Sequence, residues 1–206
     1  WDISDDLTVT IGGRMYDYEL ESVSTVAFPL FEARGFVELT LAEIRDLAFD
    51  PSLAQSDDGF LTKFNIAYDL SDEVMVYFTR SEGYRIGASN GLGPCPAYDP
   101  LATQGACGLA PGQQYGPNPG DIAQFDERQY GPDRTINWEL GAKTTLMDGA
   151  MTLNGAVFFV EWEDPQVSSA SVNANIPITV NAEGAESVGF EIQGSWQMTN
   201  NFGIRG

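Results

Sequence analysis

The chain has 206 residues and a net charge of −20, because 30 acidic residues outnumber 10 basic ones, and it contains no histidine. The acidic balance excludes nucleic acid as a partner, since phosphates are bound by Lys and Arg, and the lack of histidine removes the usual Ser-His-Asp, Cys-His and histidine-metal sites. No stretch approaches the roughly 18 consecutive apolar residues of a transmembrane helix, which excludes a helical membrane protein but not a membrane β-barrel.

Four short polar turns divide the sequence, each lying between stretches in which apolar and polar residues alternate. Ser, Asp and Asn favour turns because their side chains hydrogen bond the local backbone, and Asp-Gly favours the type I′ geometry of β-hairpins. The turns are Ser4-Asp5-Asp6, Ser71-Asp72-Glu73, Asp148-Gly149 and Thr199-Asn200-Asn201. Trp1, Tyr68 and Trp196 stand just before three of them, where the aromatic girdle of a membrane barrel would lie.

The strand that leaves the first turn runs from Leu7 to about Leu20 and leads into a long segment, residues 21–58. Within this segment, residues 40–47 predict a short helix, because Thr40 and Glu43 have the spacing of a capping box and apolar residues line one face. We interpret this helix as packing on the rim of the sheet rather than as a functional motif.

The second long loop, residues 87–132, follows a predicted hairpin, and its part from Asn90 to Gly120 is too rich in Gly and Pro for a regular element. It contains both cysteines of the chain, Cys95 and Cys107, which we interpret as a disulfide formed in an oxidising compartment. Closing so short a loop would contribute about 3 kcal/mol, and the bridge would hold a loop with almost no core of its own. A redox or metal role is disfavoured, because the spacing is not Cys-x-x-Cys.

The longest alternating stretch, residues 133–164, predicts two strands folded back on each other at Asp148-Gly149. From Ile136 to Leu146 the first strand rises roughly 34 Å, whereas globular strands usually have about five or six residues. At the tilt of a barrel this length matches the roughly 25 Å apolar band of an outer-membrane protein. A third long loop, at about residues 165–184, and a final alternating strand complete the chain.

Short and long connections therefore alternate, which places the turns at one end of an up-and-down antiparallel sheet and the loops at the other. Outer-membrane barrels have this asymmetry, and a soluble sandwich has no reason for it. The sequence predicts an all-β fold over residues 1–206: an antiparallel up-and-down transmembrane β-barrel fragment with about six complete long strands. The apolar rows would face lipid, and the lumen would receive Glu139, Lys143, Glu191, Gln193, Thr152 and Asn154.

No catalytic or metal-binding constellation emerges from the sequence. Acidic residues are adjacent at Asp57-Asp58, Asp126-Glu127 and Glu163-Asp164, but neighbours on a strand point to opposite faces and do not form the paired carboxylates of a hydrolase. We interpret them as solvated rim charges, with calcium binding as the alternative, since hard cations need several oxygen ligands. We expect no enzymatic activity, no cofactor and no bound metal.

Three stretches resemble the β-barrel of TonB-dependent outer-membrane receptors, and their order and spacing fit that family as well. The stretches are YDLSDEVMVYFTRSEGYRIG, DRTINWELGAKTTLMDGAMTLNGAVFFVEWEDPQV and NAEGAESVGFEIQGSWQMTNNF. The resemblance covers residues 60–206 well and residues 1–20 loosely. Each motif alone is weak, but together they are fairly specific.

The resemblance implies a 22-stranded barrel, occluded by an N-terminal plug, in the outer membrane of a Gram-negative bacterium. Such a receptor imports a scarce ligand, often a ferric siderophore or cobalamin, with energy delivered by TonB. We expect the chain to be a fragment holding the C-terminal part of the barrel, without the plug through which TonB acts. Two alternatives stay open: a passive outer-membrane porin, and a soluble acidic β-sandwich that serves as a binding module.

Ligand contacts in this family lie on variable loops and on the plug, so none is transferred by motif. Four arginines lie near the predicted outer loops and are candidates to attract an anionic ferric chelate. They are Arg80, Arg85, Arg128 and Arg134. The competing interpretation is that these arginines form salt bridges with the abundant acidic residues of the rim.

Overall fold

The computed structural model describes residues 1–21, 53–101, 107–173 and 175–206. The helix predicted at residues 40–47 lies outside these ranges. In the described part of the chain, twelve β-strands and no α-helix occur, which confirms the all-β prediction.

The strands are β1 (Asp2–Ser4), β2 (Leu7–Leu20), β3 (Gln55–Ser71), β4 (Val74–Arg85), β5 (Ala88–Ser89), β6 (Gln129–Tyr130), β7 (Asp133–Leu146), β8 (Met151–Glu163), β9 (Gln166–Ala170), β10 (Pro177–Asn181), β11 (Gly184–Thr199) and β12 (Phe202–Arg205). Eight of them form one antiparallel sheet in the order β1-β2-β3-β4-β7-β8-β11-β12. The other four pair as β5 with β6 and β9 with β10. The large sheet is open, with β1 and β12 at its edges, so it forms part of a barrel wall.

Six strands of this sheet, which we call the wall, are long and match the six that the sequence predicts. They have between 12 and 17 residues. Turns of two to four residues follow β1, β3, β7 and β11, whereas long connections follow β2, β4 and β8. Because neighbouring strands are antiparallel, the turns lie at one end of the wall and the long connections at the other, as predicted.

One loop boundary and the content of one loop differ from the predictions. Strand β3 begins at Gln55, so the first long connection ends before residue 58. The predicted loop 165–184 contains strands β9 and β10, which form a hairpin of five residue pairs. Sequence reasoning missed this hairpin because Gln166–Ala170 has Val167 as its only large apolar residue and so shows no alternating pattern.

The turn between β7 and β8 shows how Asp148-Gly149 closes a hairpin. Both residues have positive φ angles, 52° and 88°, as a type I′ turn requires. The N–H of Ala150 donates to the carbonyl of Met147 across the turn at 3.0 Å. From there the β7–β8 ladder continues without interruption over thirteen residue pairs.

Apolar side chains of neighbouring strands lie directly opposite one another on one face of the wall. One such row places Leu140 between Phe78 and Val157, and it continues to Val9, Ile66 and Phe190. Leu140 is 57% exposed and Phe190 is 73% exposed, so no second sheet covers this row in the described residues. A soluble sandwich would bury such a row, and that alternative is therefore not supported. Lipid is the environment that this face fits.

At three places in the wall an aromatic ring lies across the glycine directly opposite it on the neighbouring strand. In each case the ring and the glycine belong to directly opposed residues, and a Cβ on the glycine would approach a ring atom to 2.7 Å or less. The pairs are Tyr16 with Gly59, Tyr77 with Gly141, and Phe158 with Gly189. A side chain at any of these glycines would displace the ring that covers it.

The most buried apolar side chains of the described residues lie in the loops and not in the wall. Leu109 is completely buried, and Leu92, Cys107, Ala123 and Ile178 are at most 8% exposed. The expectation that the cysteine loop has almost no core is therefore wrong. Although Gly and Pro prevent regular strands, they let the loop fold back on itself and against β10, so its scattered apolar residues meet.

Candidate functional site

Two of the long connections meet at the end of the wall opposite the tight turns. We call residues 86–101 and 107–132, between β4 and β7, the first cap loop, and residues 164–173 and 175–183, between β8 and β11, the second cap loop. Together they form the outer cap. In the first cap loop, β5 pairs with β6, so the loop returns to the wall beside the place where it left. The second cap loop is built on the β9–β10 hairpin.

A disulfide between Cys95 and Cys107 closes the first cap loop, with the two Cα atoms 4.9 Å apart. Beside it, the N–H of Cys95 donates to the carbonyl of Gly108 at 3.1 Å. The second cap loop also touches the bridge, because the amide nitrogen of Asn173 lies 3.0 Å from Sγ of Cys107 and donates to the carbonyl of the same residue at 3.3 Å. The disulfide thus lies at the contact between the two loops.

Glu127 has no solvent-exposed surface and lies between the two cap loops. Its Oε2 accepts the N–H of Leu109 at 3.1 Å, and its Oε1 accepts the N–H of Val172 in the second cap loop. The backbone N–H of Glu127 donates to the carbonyl of Leu109 at 2.9 Å. Burying a carboxylate costs free energy unless hydrogen bonds replace those lost to water. The N–H groups of Leu109 and Val172 therefore make the burial of the Glu127 carboxylate possible.

Side-chain amides provide further links between the cap loops. Asn90 pairs with the backbone of Thr179 as a neighbouring strand would, since it donates to the carbonyl at 2.7 Å and accepts the N–H at 2.8 Å. Asn181 accepts the N–H of Gly131 at 2.6 Å and donates to its carbonyl at 3.1 Å. The described strands of the two loops share no β-ladder, so side chains connect them instead.

Asp133 fastens the outer cap to the wall at the outer end of β7. Its carboxylate, which is 5% exposed, accepts hydrogen bonds from the guanidinium of Arg85, from the indole N–H of Trp162 at 3.0 Å and from the backbone N–H of Gln166 at 3.2 Å. Burial favours the protonated carboxyl, but these three donors outweigh it and hold the pKa of Asp133 below its ordinary value. The apolar face of β4 is already interrupted by the charged residue Arg80. Asp133 lies opposite Arg85, which is farther toward the outer end of β4, so Asp133 lies beyond the apolar band.

Between β3 and β4 the backbone ladder stops before the strands do. The last pair is Lys63 with Ser81, although both strands continue toward the cap. Side chains bridge the gap that results: the carboxylate of Glu82 accepts the backbone N–H of Thr62 at 2.6 Å and its hydroxyl at 2.8 Å. At the outer end, β3 and β4 are thus joined through the side chain of Glu82 and not by a backbone ladder.

A cluster of aromatic and charged side chains lies beside this gap. The rings of Tyr16 and Tyr84 are stacked with centroids 4.1 Å apart, and the Tyr84 hydroxyl donates to Asp57 at 3.0 Å. The guanidinium of Arg134 donates to the Tyr16 hydroxyl at 2.7 Å and lies 5.8 Å from the Tyr84 ring. Such a combination of stacked rings and a guanidinium can contact a planar or anionic group.

The face of the wall opposite the apolar row carries polar side chains that bond to one another. The hydroxyl of Tyr77 donates to Glu139 at 2.6 Å, and the ammonium of Lys143 lies 5.4 Å from the Tyr77 ring. The hydroxyls of Thr152 and Ser195 share a hydrogen bond of 2.8 Å. These contacts agree with the polar lumen face that the alternation predicts.

No group of three or more His, Cys, Asp or Glu side chains in the described ranges is arranged to hold a metal ion. Among those same residues there is also no helix of the length and apolarity needed to cross a membrane. Two members of the adjacent acidic pairs bond to other side chains, since Asp57 accepts from Tyr84 at 3.0 Å and Asp126 pairs with Arg128 at 2.7 Å.

The whole chain, residues 1–206, matches the family model described as TonB dependent receptor-like, beta-barrel. The chain belongs to the TonB-dependent receptor β-barrel family. Members of this family are transport receptors of the Gram-negative outer membrane, not enzymes, so the predicted location is confirmed. No curated protein sequence matches the chain.

Solved structures of outer-membrane receptors share the fold of this TonB-dependent receptor barrel. The ferric yersiniabactin uptake receptor FyuA from Yersinia pestis is 17% identical over 97% of this chain, with a TM-score of 0.57. The copper transporter OprC is 14% identical over 98% of this chain, with a TM-score of 0.56. The alcaligin receptor FauA from Bordetella pertussis is 14% identical over 100% of this chain, with a TM-score of 0.52. The chain spans 23%, 25% and 27% of FyuA, OprC and FauA, about a quarter of each.

Each arginine predicted as a ligand contact of the receptor forms an ion pair with an acidic side chain. The pairs are Arg80 with Glu82 (2.7 Å), Arg85 with Asp133, Arg128 with Asp126 (2.7 Å) and Arg134 with Asp57 (3.9 Å). The side chains of Arg85 and Arg134 are 53% and 47% exposed, whereas those of Arg80 and Arg128 are 27% and 14% exposed. The structure therefore separates two accessible guanidinium groups from two enclosed ones.

Sequence reasoning did not identify the residues that connect the cap loops. It interpreted Glu127 as a solvated rim charge, and this is wrong, because the side chain is completely buried. The partners of its carboxylate are Leu109 and Val172, which are 18 and 45 residues away along the chain. No local sequence pattern indicates contacts at such separations, and the roles of Asn90 and Asn173 could not be predicted for the same reason.

Proposed function

We propose that the complete protein is an energised outer-membrane receptor that imports a scarce ligand, such as a ferric siderophore, with energy supplied by TonB. In this proposal the chain provides the C-terminal part of the barrel wall and two of its outer loops. A plug encoded outside residues 1–206 contacts TonB. The apolar rows of the wall contact lipid, and the ligand arrives from the side of the outer cap.

Family membership over residues 1–206, together with a structured cap at the outer end of the wall, carries this proposal. A cap that contains a disulfide and buried side chains such as Leu109 presents a fixed surface to the outside. A preformed surface favours capture of a specific ligand, because less conformational entropy is lost on binding. The fold shared with FyuA and FauA, two receptors named for ferric yersiniabactin and alcaligin, supports a ferric siderophore as the ligand class.

Transport in this scheme requires neither catalysis nor a resident cofactor from the chain. The family to which the chain belongs consists of transport receptors. We therefore assign the chain to binding and passage of the ligand and not to its chemical conversion.

Arg85 and Arg134 are the two predicted ligand arginines that we retain as contacts for an anionic ligand. About half of each side chain is exposed, and Arg134 belongs to the cluster with the stacked Tyr16 and Tyr84 rings. Arg80 and Arg128 are more enclosed by their partners and serve the structure of the rim. Because guanidinium groups bind chelate carboxylates and phenolates through charge-assisted hydrogen bonds, their loss weakens uptake.

The complete gene, expressed in a Gram-negative strain that lacks its own ferric siderophore receptors, tests the proposal. The probe is a panel of radiolabelled ferric hydroxamate, catecholate and phenolate chelates, measured in matched strains with and without TonB. We expect saturable uptake of one class that falls to background without TonB. We also expect Arg134→Gln to raise the concentration for half-maximal uptake, while Arg205→Gln, at the turn end of the wall, leaves it unchanged.

Two outcomes would overturn the assignment. Uptake that continues equally without TonB, together with unselective diffusion of small solutes, would identify the protein as a passive porin. Absence of uptake for every chelate class, in cells where the receptor is present in the outer membrane, would remove the ferric siderophore from the proposal.

A further inference from the structure

The two cap loops are connected by a buried carboxylate with one oxygen assigned to each loop. Oε2 of Glu127 accepts the N–H of Leu109 in the first cap loop, and Oε1 accepts the N–H of Val172 in the second. The side chain is completely excluded from solvent. Hydrogen bonds to a charged group are stronger than those between neutral groups, and a buried one that is broken leaves the charge uncompensated.

The residue after Val172 makes the second connection, this time to the disulfide. Asn173 donates to the carbonyl of Cys107 at 3.3 Å, and its amide nitrogen lies 3.0 Å from Sγ of Cys107 and 3.3 Å from Sγ of Cys95. Consecutive residues of the second cap loop are therefore bound to two different parts of the first, the buried carboxylate and the cysteine bridge.

The opposite side of the second cap loop is bound by the side-chain amide of Asn90, which pairs with the backbone N–H and carbonyl of Thr179. Asn90 also donates to the carbonyl of Glu127 at 3.1 Å. The stretch of the first cap loop around Glu127 is thus linked to the segment between β9 and β10 through Val172, and to β10 through Asn90 and Thr179. A motion of either loop would break several of these bonds together.

We propose that the two cap loops act as a single rigid cap, and that Glu127 is the positioning residue that makes them one unit. The cap then opens or closes as a whole, and neither loop folds over a ligand independently of the other. That the cap borders the path of a ligand rests on the function proposed above, whereas the mechanical unity of the two loops does not depend on it.

Hydrogen–deuterium exchange of the complete, ligand-free receptor in detergent tests this unity, with Glu127→Gln as the variant. The substitution preserves size but removes the charge and places an N–H₂ group against one of the two backbone N–H donors. If the cap is one unit, amide exchange in residues 166–181 rises by about tenfold or more, because a charged hydrogen bond across the loops is lost. Exchange in residues 107–127 rises with it.

Asp121→Asn is the matched control, because it is the same carboxylate-to-amide change in the first cap loop. The carboxylate of Asp121 accepts the N–H and the side-chain amide of Asn118, both at 3.1 Å. We expect faster exchange near residues 116–121 and no change in residues 166–181. If Glu127→Gln likewise speeds exchange in the first cap loop while residues 166–181 remain as in the wild type, the proposal is overturned.

A second measurement on the wild-type receptor remains available if Glu127→Gln prevents folding. A dithiol reductant transfers two electrons to the Cys95–Cys107 bond, which gives two protonated thiols and the cyclic disulfide of the reagent. A single rigid cap predicts faster exchange in residues 171–173, although the reduced bond lies in the other loop. Unchanged exchange there after complete reduction would overturn the unity of the cap, and neither measurement involves a ligand or TonB.

Discussion

The wall and the outer cap of this receptor barrel are stabilised in opposite ways. In the wall, backbone ladders run from strand to strand, while apolar side chains such as Phe190 remain 73% exposed. In the cap, ladders are short, but Leu109 and Glu127 are completely buried and a disulfide closes the chain. The wall therefore requires surrounding lipid to cover its apolar surface, whereas the cap excludes water with its own side chains.

This difference shows that regular secondary structure and a water-excluding core are separate properties. A loop rich in Gly and Pro forms few strand pairs, yet it can bring distant apolar residues together. A strand with regular alternation pairs with its neighbours through long backbone ladders, yet it leaves its apolar side chains uncovered when the solvent is lipid. The following substitutions test whether the two regions are also energetically separate.

The largest effect is expected for Leu109→Ala in the cap. Leu109 is completely buried, and Leu-to-Ala changes at such sites cost about 2–5 kcal/mol because they leave a cavity. We expect rapid protease cleavage in the cap loops while the wall keeps its resistance to unfolding by detergent and heat. Leu101→Ala, at a side chain that is 96% exposed, is the control without effect. Equal loss of wall stability would show that the two regions unfold as one.

A somewhat smaller effect is expected for Ile192→Arg on the lipid-facing side of β11. Ile192 is 69% exposed and lies opposite Gly155, and an arginine in the apolar band of a membrane barrel costs about 2–4 kcal/mol. The free energy of folding into lipid bilayers measures this cost. Gln193→Arg places the same side chain on the adjacent, lumen-facing position and should cost little. If both variants lose equal stability, the assignment of the two faces is wrong.

Gly141→Ala is expected to destabilise the wall by about 1–3 kcal/mol, the usual cost of overpacking. The added Cβ would lie 2.5 Å from the ring of Tyr77, so the ring must move away from Glu139 as well. Gly155→Ala is the matched control in the next strand, because the nearest atom to its Cβ is 3.7 Å away. Thermal unfolding in detergent compares the two. A tolerant Gly141→Ala variant would show that the ring is not held in place.

The smallest effect is a dependence of the cap on pH through Asp133. Because its pKa is lowered in the folded protein, the carboxylate contributes stability that is fully present above the ordinary aspartate pKa of about 3.9 and is lost as the pH falls through the folded value. We expect protease cleavage of residues 164–183 to increase in this acid range. An Asp133→Asn variant should be cleaved faster at neutral pH and lack that acid-dependent increase.

The wall could be predicted from the sequence because its signal is local. Alternation along residues 136–146 is complete within one strand, and a two-residue turn such as Asp148-Gly149 determines the pairing of the strands beside it. The pairing of Cys95 with Cys107 could be predicted because the chain contains no other cysteine. The hydrogen bonds of Glu127 could not be predicted, because its partners are up to 45 residues away along the chain and no periodic pattern relates them.

The rings that lie over glycines have a consequence for how the barrel assembles. Tight turns impose the alignment of the strands they join, but β2 with β3, β4 with β7, and β8 with β11 are separated by long stretches of chain. All three directly opposed ring-and-glycine pairs among the described residues fall at these junctions. If β4 slipped by two residues along β7, the ring of Tyr77 would collide with Glu139 or Lys143. Each ring-and-glycine pair therefore favours one register between two strands that no short turn aligns.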